Sequence, residues 1–210
     1  MLALGLRCLL AYLLGSLMGS LLVGRLHGGV DIRTQGSGNA GGTNALRTQG
    51  KVFAAWVMLI DVGKGVLAAG LVPVLPLPFG PEAYAAWTPA LCGALAMLGH
   101  VFPVFYGFRG GKGAATFLGV LAVLEPLALV PGLLVFATTL MLTGYVGLST
   151  VLSVFGVALF TLIRVGATAP LFAFALAMAC FILYTHRSNM QRLFAGKENR
   201  FERAMLLRRR

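Results

Sequence analysis

The sequence predicts an all-α, polytopic membrane protein with seven transmembrane helices, its N-terminus outside and its C-terminus in the cytoplasm. Three observations carry that expectation. Of 210 residues, 58% are hydrophobic and only 11% charged, whereas a soluble domain carries about 25% charged residues. The apolar runs approach or exceed the roughly 20 residues that cross a bilayer. The basic residues sit between and after those runs, the pattern of a cytoplasmic membrane face.

Candidate spans are Leu2–Leu26, Val52–Leu75, Tyr84–Val104, Ala114–Leu142, Tyr145–Ile163 and Ala167–Tyr184. The first is too long for the apolar core of an ordinary signal peptide and leads straight into a polar loop, so it reads as a retained span. The fourth contains Glu125-Pro126 near its middle and is either one kinked helix or two short ones. Charge decides between them. Arg25, Arg33, Arg47 and Lys51 flank or lie in the first loop, Arg109 and Lys112 lie in the second, and eight basic residues follow Tyr184. All three regions belong in the cytoplasm, so an even number of crossings separates the second loop from the tail. A split into Ala114–Leu124 and Leu127–Leu142 supplies it. Arg7 weighs against this orientation and is outvoted by the flanking loop. The expectation places Gly80 and Arg164 outside, and Gly38, Lys112 and Lys197 inside. A helix of about 12 residues is only about 18 Å long, short of a hydrocarbon core of roughly 30 Å. The loop before Ala114 is therefore expected to dip into a recess open to cytosol and lipid. Residues 1–210 are read as a single domain.

A net charge of +11 is compatible with nucleic-acid binding, but basic residues placed beside apolar spans point to membrane lipid instead. No nucleic-acid partner is expected. Cys8, Cys92 and Cys180 lie singly in apolar stretches and form neither a metal motif nor a disulfide framework. No metal and no cofactor are expected. There is no Gly-x-Ser-x-Gly nucleophile elbow. The acyltransferase box His-x4-Asp is missing too: five residues beyond His27, His100 and His186 stand Ile32, Phe105 and Gln191. An enzyme built from these residues works by positioning and electrostatics on an already activated donor.

The polar chemistry is concentrated in glycine-dense loops. Gly36-Ser37-Gly38-Asn39-Ala40-Gly41-Gly42-Thr43-Asn44 closes on Arg47. Small residues let backbone approach a ligand and let N–H groups converge on an anion. Ser37, Asn39, Thr43 and Asn44 add hydrogen-bonding side chains, and Arg47 adds a fork suited to phosphate. Gly36, Ser37, Gly38, Asn39, Thr43, Asn44 and Arg47 are thus candidate phosphate ligands. A second loop, Phe108-Arg109-Gly110-Gly111-Lys112-Gly113, leads into the Ala114 helix. It lacks the glycine spacing of a nucleotide P-loop. An anion held by Gly110, Gly111, Lys112 and Gly113 at a helix N-terminus is nevertheless physically sound. Two such cradles suggest two phosphate-bearing substrates.

Further candidate residues accompany the loops. Asp61 and Lys64 are paired at i, i+3 inside the second span, where ionisable groups are costly; they are either a structural ion pair or support for the site. His186, Asn189 and Arg192 recur at a spacing of three; they either point one helix face at a common target or anchor the tail to anionic lipid beside the membrane. His100 reads as a satisfied histidine at a helix end, and Arg187 as a neighbour of the site. In the turn Thr143–Thr150, Tyr145 is expected as an interface anchor, while Ser149 and Thr150 are within reach of the site.

Together these residues resemble the acyl-phosphate:glycerol-3-phosphate acyltransferase family (PlsY) of bacterial membranes. The match is carried by Gly36–Arg47; by Gly99-His100-x-Phe102-Pro103 through Arg109–Thr116; by His186-Arg187-x-Asn189-x-x-Arg192-Leu193-x-x-Gly196-x-Glu198; and by Asp61-x-x-Lys64-Gly65. The resemblance implies a seven-helix enzyme of the bacterial inner membrane, its active site facing the cytoplasm. It implies that glycerol 3-phosphate and long-chain acyl phosphate give lysophosphatidic acid and inorganic phosphate without a covalent intermediate. Carried over, Ser37, Arg47, Lys112, His186 and Asn189 are the catalytic residues, with Thr150 beside the phosphate and Asp61, Lys64, His100 and Arg187 around them. A monomer is expected. Gly42 stands where the family usually has Ala, and Gly144 and Gly147 where it usually has Arg and Ser. The competing class is a transporter or flippase of a phosphate ester, which also uses glycine-broken helices and basic pockets.

Overall fold

The computed structural model describes residues 1–78 and 85–206. All secondary structure among them is helical. The chain forms two compact units, Met1–Leu124 and Glu125–Arg210.

The first unit contains α1 (Leu2–Gly15), α2 (Gly19–Leu26), α3 (Gly42–Gln49), α4 (Lys51–Val66), α5 (Thr88–Val101) and α6 (Ala114–Leu124). The expected single span Leu2–Leu26 is instead broken, with α1 and α2 bent by 46°. The cause lies on α4. Lys64 Nζ donates to the Leu17 carbonyl at 2.9 Å, and Asp61 Oδ1 accepts from the Gly19 N–H at 3.2 Å. The cation thus meets the carbonyl end of α1 and the carboxylate the amide end of α2, as the partial charges of helix termini require. Polar side chains inserted at a Gly/Ser-rich point are a standard cause of a sharp kink.

Two helix pairs pack at glycine distance. A Cβ on Gly15 would strike the Ala96 carbonyl, and one on Gly99 the Tyr12 carbonyl, so α1 and α5 touch backbone to backbone. Gly65 and Gly119 do the same for α4 and α6, against the Thr116 and Val62 carbonyls. Such small-residue crossings drive helix association where lipid removes the hydrophobic drive. Beyond Val66, α4 continues through a wider turn at Leu67–Leu71 and a tighter one at Val72–Val74. Gly80 and Tyr84 lie outside the described residues.

The split at Glu125-Pro126 is present. Helix α6 ends at Leu124 after 11 residues, about 16 Å at 1.5 Å per residue. Glu125 leaves helical geometry (φ −158°, ψ 75°), and Pro126 opens a new turn. The second unit then carries α7 (Leu129–Thr143), α8 (Val146–Val165), α9 (Pro170–Thr185) and α10 (Arg187–Phe194). Gly144 ends α7 in the left-handed region at φ +74°. The tail folds back on this turn: Phe201 N–H donates to the Gly144 carbonyl at 2.7 Å and Leu206 N–H to that of Met141 at 3.1 Å. Arg200 donates to the Tyr145 hydroxyl at 2.9 Å. The Tyr145 hydroxyl, expected as an interface anchor, therefore holds the tail.

Among the described residues, four helical segments are individually long and apolar enough to cross a membrane: Lys51–Val74, Thr88–Tyr106, Pro126–Thr143 and Val146–Val165. The bent pairs α1/α2 and α9/α10 raise the number to six, and α6 is a shorter apolar helix.

Candidate active site

In the first unit, the Gly36–Arg47 loop is organised by Asn44. This side chain is 1% exposed. Its Oδ1 accepts from the Ser37 N–H at 2.9 Å, and its Nδ2 donates to the carbonyls of Ile32 and Gln35 at 2.9 and 3.0 Å. Both amide hydrogens are committed, so Asn44, expected as a phosphate ligand, is instead the clamp that shapes the loop. Gly36 (φ +57°) and Gly38 (φ +72°) take left-handed backbone, which only glycine adopts without strain. A Cβ at Gly36 would collide with Asn44 Oδ1. Ser37 and Arg47 remain exposed, and Asn39 and Thr43 half-buried.

The second loop turns through Gly107 (φ +65°) and Phe108 (φ +59°), the one non-glycine with positive φ among the described residues. The expectation that Gly110 and Gly111 present N–H groups to an anion needs correction. Gly110 donates to the Val101 carbonyl at 3.2 Å and Gly111 to that of His100 at 3.1 Å. These glycines serve by lacking a side chain: a Cβ on Gly110 would strike the His100 carbonyl, and one on Gly111 the His100 ring nitrogen Nε2. Lys112 is half-buried, Gly113 has φ +89°, and Phe117 N–H closes the first turn on the Gly113 carbonyl at 2.8 Å. The leading amides of α6 are the donors that an anion would meet there.

Beneath this loop lies a buried triad. Lys64 Nζ is 3.0 Å from Asp61 Oδ1 and 2.8 Å from His100 Nδ1, besides its contact with Leu17. Each ammonium proton has an acceptor. His100 Nδ1 lies farther from Asp61, at 3.5 Å, so Nδ1 accepts from lysine and the ring proton sits on Nε2, against Gly111. The Asp61–Lys64 pair therefore both closes the helix break and supports the second loop.

Sequence reasoning used Arg33 only to orient the chain. Arg33 binds Asp31 through Nε and Nη2, with 2.8 Å from Nη2 to Oδ2. Its Nη1 donates to the carbonyls of Tyr106 and Arg109, both at 3.1 Å. The guanidinium also holds the Asp31 carboxyl below its ordinary value, chiefly by hydrogen bonding. The acidic-x-basic triplet just ahead of the glycine loop was the available signal.

In the second unit, His186 stands at the 57° bend between α9 and α10. Its Nδ1 lies 2.9 Å from the Ile182 carbonyl. A carbonyl only accepts, so His186 Nδ1 carries a proton. Asn189 Nδ2 and Arg192 Nε donate to the two oxygens of Glu198, each at 2.7 Å. Glu198 was part of the matched pattern yet not among the expected site residues; its role appears only when the chain turns back at Gly196. Arg187 turns aside: its guanidinium lies 4.3 Å over the Tyr184 ring and donates to the Tyr184 carbonyl. Thr150, expected at the phosphate, commits its hydroxyl to the Val146 carbonyl at 2.9 Å inside α8, as Ser149 does to Tyr145.

The family profile described as Glycerol-3-phosphate acyltransferase matches residues 5–196. The chain belongs to the glycerol-3-phosphate acyltransferase family. It is a multi-pass bacterial membrane acyltransferase of phospholipid synthesis. Glycerol-3-phosphate acyltransferase 2 of Bacillus anthracis is 40% identical over 192 residues, covering 91% of this chain and 96% of that one. The Geobacillus kaustophilus glycerol-3-phosphate acyltransferase is 41% identical over 190 residues, 90% and 92% of the two chains. The crystal structure of PlsY, an integral membrane glycerol 3-phosphate acyltransferase in its glycerol 3-phosphate form, has a TM-score of 0.81 at 32% identity, covering 94% and 95%. A second, in the lysophosphatidic acid form, has a TM-score of 0.79 at 31% identity, covering 94% of each chain.

The departures from the family pattern have local reasons. Met58 fills the space beside Gly42, where a Cβ would come 2.7 Å from its sulfur. Asn189 packs against Gly147, where a Cβ would come within 2.8 Å of the Asn189 Cβ. Met205 and Arg200 crowd Gly144, whose positive φ already disfavours a side chain.

Proposed function

We propose that this glycerol-3-phosphate acyltransferase takes its acyl group from a long-chain acyl phosphate, at a site facing the cytoplasm. It transfers that group to the terminal hydroxyl of glycerol 3-phosphate, releasing lysophosphatidic acid and inorganic phosphate. The observation that carries this reading is the pair of glycine loops, held against each other within one unit and headed by Arg47 and Lys112. Two cradles suit two phosphates held side by side. Ser37 and Arg47 bind one phosphate. Lys112 and the amides that open α6 bind the other.

The hydroxyl oxygen forms a bond to the acyl carbon. The bond from that carbon to the phosphate oxygen breaks, and phosphate departs with the electron pair. Lys112 and the helix N-terminus stabilise charge on the leaving phosphate. The hydroxyl proton passes to an oxygen of a substrate phosphate. The donor is already activated, so no acyl-enzyme and no cofactor or metal enters the scheme. Seven crossings, with α6 as a short one, put both loops and the tail in the cytoplasm. The family match runs from residue 5 to 196, across both units, which supports one functional domain. The enzyme acts as a monomer.

The test is phosphate release by purified protein in detergent with acyl phosphate and glycerol 3-phosphate. Acyl transfer needs no sealed vesicle, whereas transport does. Turnover in micelles supports the reading. Binding without turnover there, with movement of glycerol 3-phosphate into vesicles, would favour a transporter.

A further inference from the structure

We propose that Arg33 is a positioning residue that fixes the separation of the two phosphate-binding loops, and with it the alignment of donor and acceptor. The inference rests on the two-cradle reading above. Arg33 lies three residues before Gly36, and the carbonyls that it binds belong to Tyr106 and Arg109, the latter directly preceding Gly110. One guanidinium therefore joins the entrance of the first loop to the entrance of the second.

Its own orientation is fixed from behind. Asp31 grips Nε and Nη2 in a bidentate pair, and Asp31 Oδ1 also accepts the Arg33 N–H at 2.9 Å. That leaves Nη1 aimed at the two carbonyls. Both side chains are partly shielded, at 21% and 36% exposure, so water competes only in part. A planar fork is needed, since a lysine ammonium is a single point charge that cannot hold a carboxylate edge and reach both carbonyls in fixed geometry.

The consequence is specific to transfer between two bound substrates. Each cradle keeps its own ligands without Arg33, so each substrate alone should bind. What suffers is their mutual placement, and a misplacement of about 1 Å costs on the order of 10² in rate.

The experiment compares wild type with Arg33→Ala, Arg33→Lys and Asp31→Asn, with exposed Lys51→Ala as a charge control. It reads kcat and both KM values. It also reads binding of glycerol 3-phosphate, of a non-hydrolysable acyl phosphonate, and of a bisubstrate analogue that tethers the two. We expect Arg33→Ala to lose about 10² in kcat with each KM changed by no more than about 3-fold. The bisubstrate analogue should lose affinity while the separate ligands keep theirs. Arg33→Lys should recover little, Asp31→Asn should fall between, and Lys51→Ala should match wild type. If Arg33→Ala does not insert, the Lys variant decides by the same measurements. Unchanged kcat in a folded Arg33 variant, or parallel loss of single and tethered ligands, overturns the inference. Wild-type protein that binds neither single ligand would instead sink the two-cradle reading itself.

Discussion

Glu198 accepts the side-chain amide of Asn189 at 2.7 Å with one oxygen, leaving its other oxygen to Arg192. The carboxylate side chain is only 4% exposed, so it orients the α10 side chains from a site that water barely reaches. Replacing it by Gln keeps the shape but loses the charge that holds Arg192. Glu198→Gln should lower kcat by about 10- to 100-fold through misplacement of Asn189. Steady-state kinetics in detergent, with a thermal unfolding curve to confirm folding, checks this.

Removing one partner of the buried triad should cost more than removing both ion-pair members. Lys64→Met leaves Asp61 charged and uncompensated, a loss of about 3–5 kcal/mol in a buried pair. The double variant Lys64→Met/Asp61→Leu should be more stable than the single one. A double-mutant cycle on unfolding midpoints in detergent measures the coupling. Additive losses would mean that the two side chains act independently.

Gly111→Ala tests the support of the second loop by His100. The added methyl meets a ring held in place by Lys64 and cannot be accommodated without lifting the loop. We expect a fall in kcat/KM on the order of 10². Gly28→Ala is the matched control: its φ is +80° but the space around it is open, so it should show only backbone strain of about 1–2 kcal/mol in stability and near-normal kinetics.

Lys112→Ala should nearly abolish turnover in protein that still inserts and folds. Losing one preorganised charge contact costs on the order of 10²–10³ in rate. Arg47→Lys should also be severe, because a point charge cannot reproduce a bidentate grip on phosphate. Phosphate-release assays on matched amounts of membrane-inserted protein provide the measurement. Near-normal rates for Lys112→Ala would remove it from the site.

Reporter fusions at Gly38, Lys112 and Lys197 should all read cytoplasmic, and a fusion at Arg164 should read external. The expectation follows from the basic loops and from the short α6 counted as a crossing. Lys197 on the opposite side from Gly38 would contradict the count of seven crossings.

The sequence by itself determined the class of this protein. Hydrophobic runs near bilayer length and basic residues clustered in the loops and the tail are linear properties, legible without coordinates. The split at Glu125-Pro126 was legible too, because proline cannot continue a helix and charge parity demanded another crossing. So were the loops themselves, since glycine density and hydroxyl side chains are local. The division of labour inside those loops was not legible. Asn44 and Ser37 look alike as polar loop residues, yet Asn44 faces inward to three backbone groups and Ser37 faces out. Arg33 looked like one more cytoplasmic cation until Tyr106 and Arg109, more than seventy residues away, came within 3.1 Å. The kink in the first span arises from Asp61 and Lys64 on another helix. Which polar group meets substrate and which satisfies a buried backbone atom is decided by contacts distant in sequence. Every buried N–H and C=O must find a partner, and only the folded chain determines which side chain supplies it.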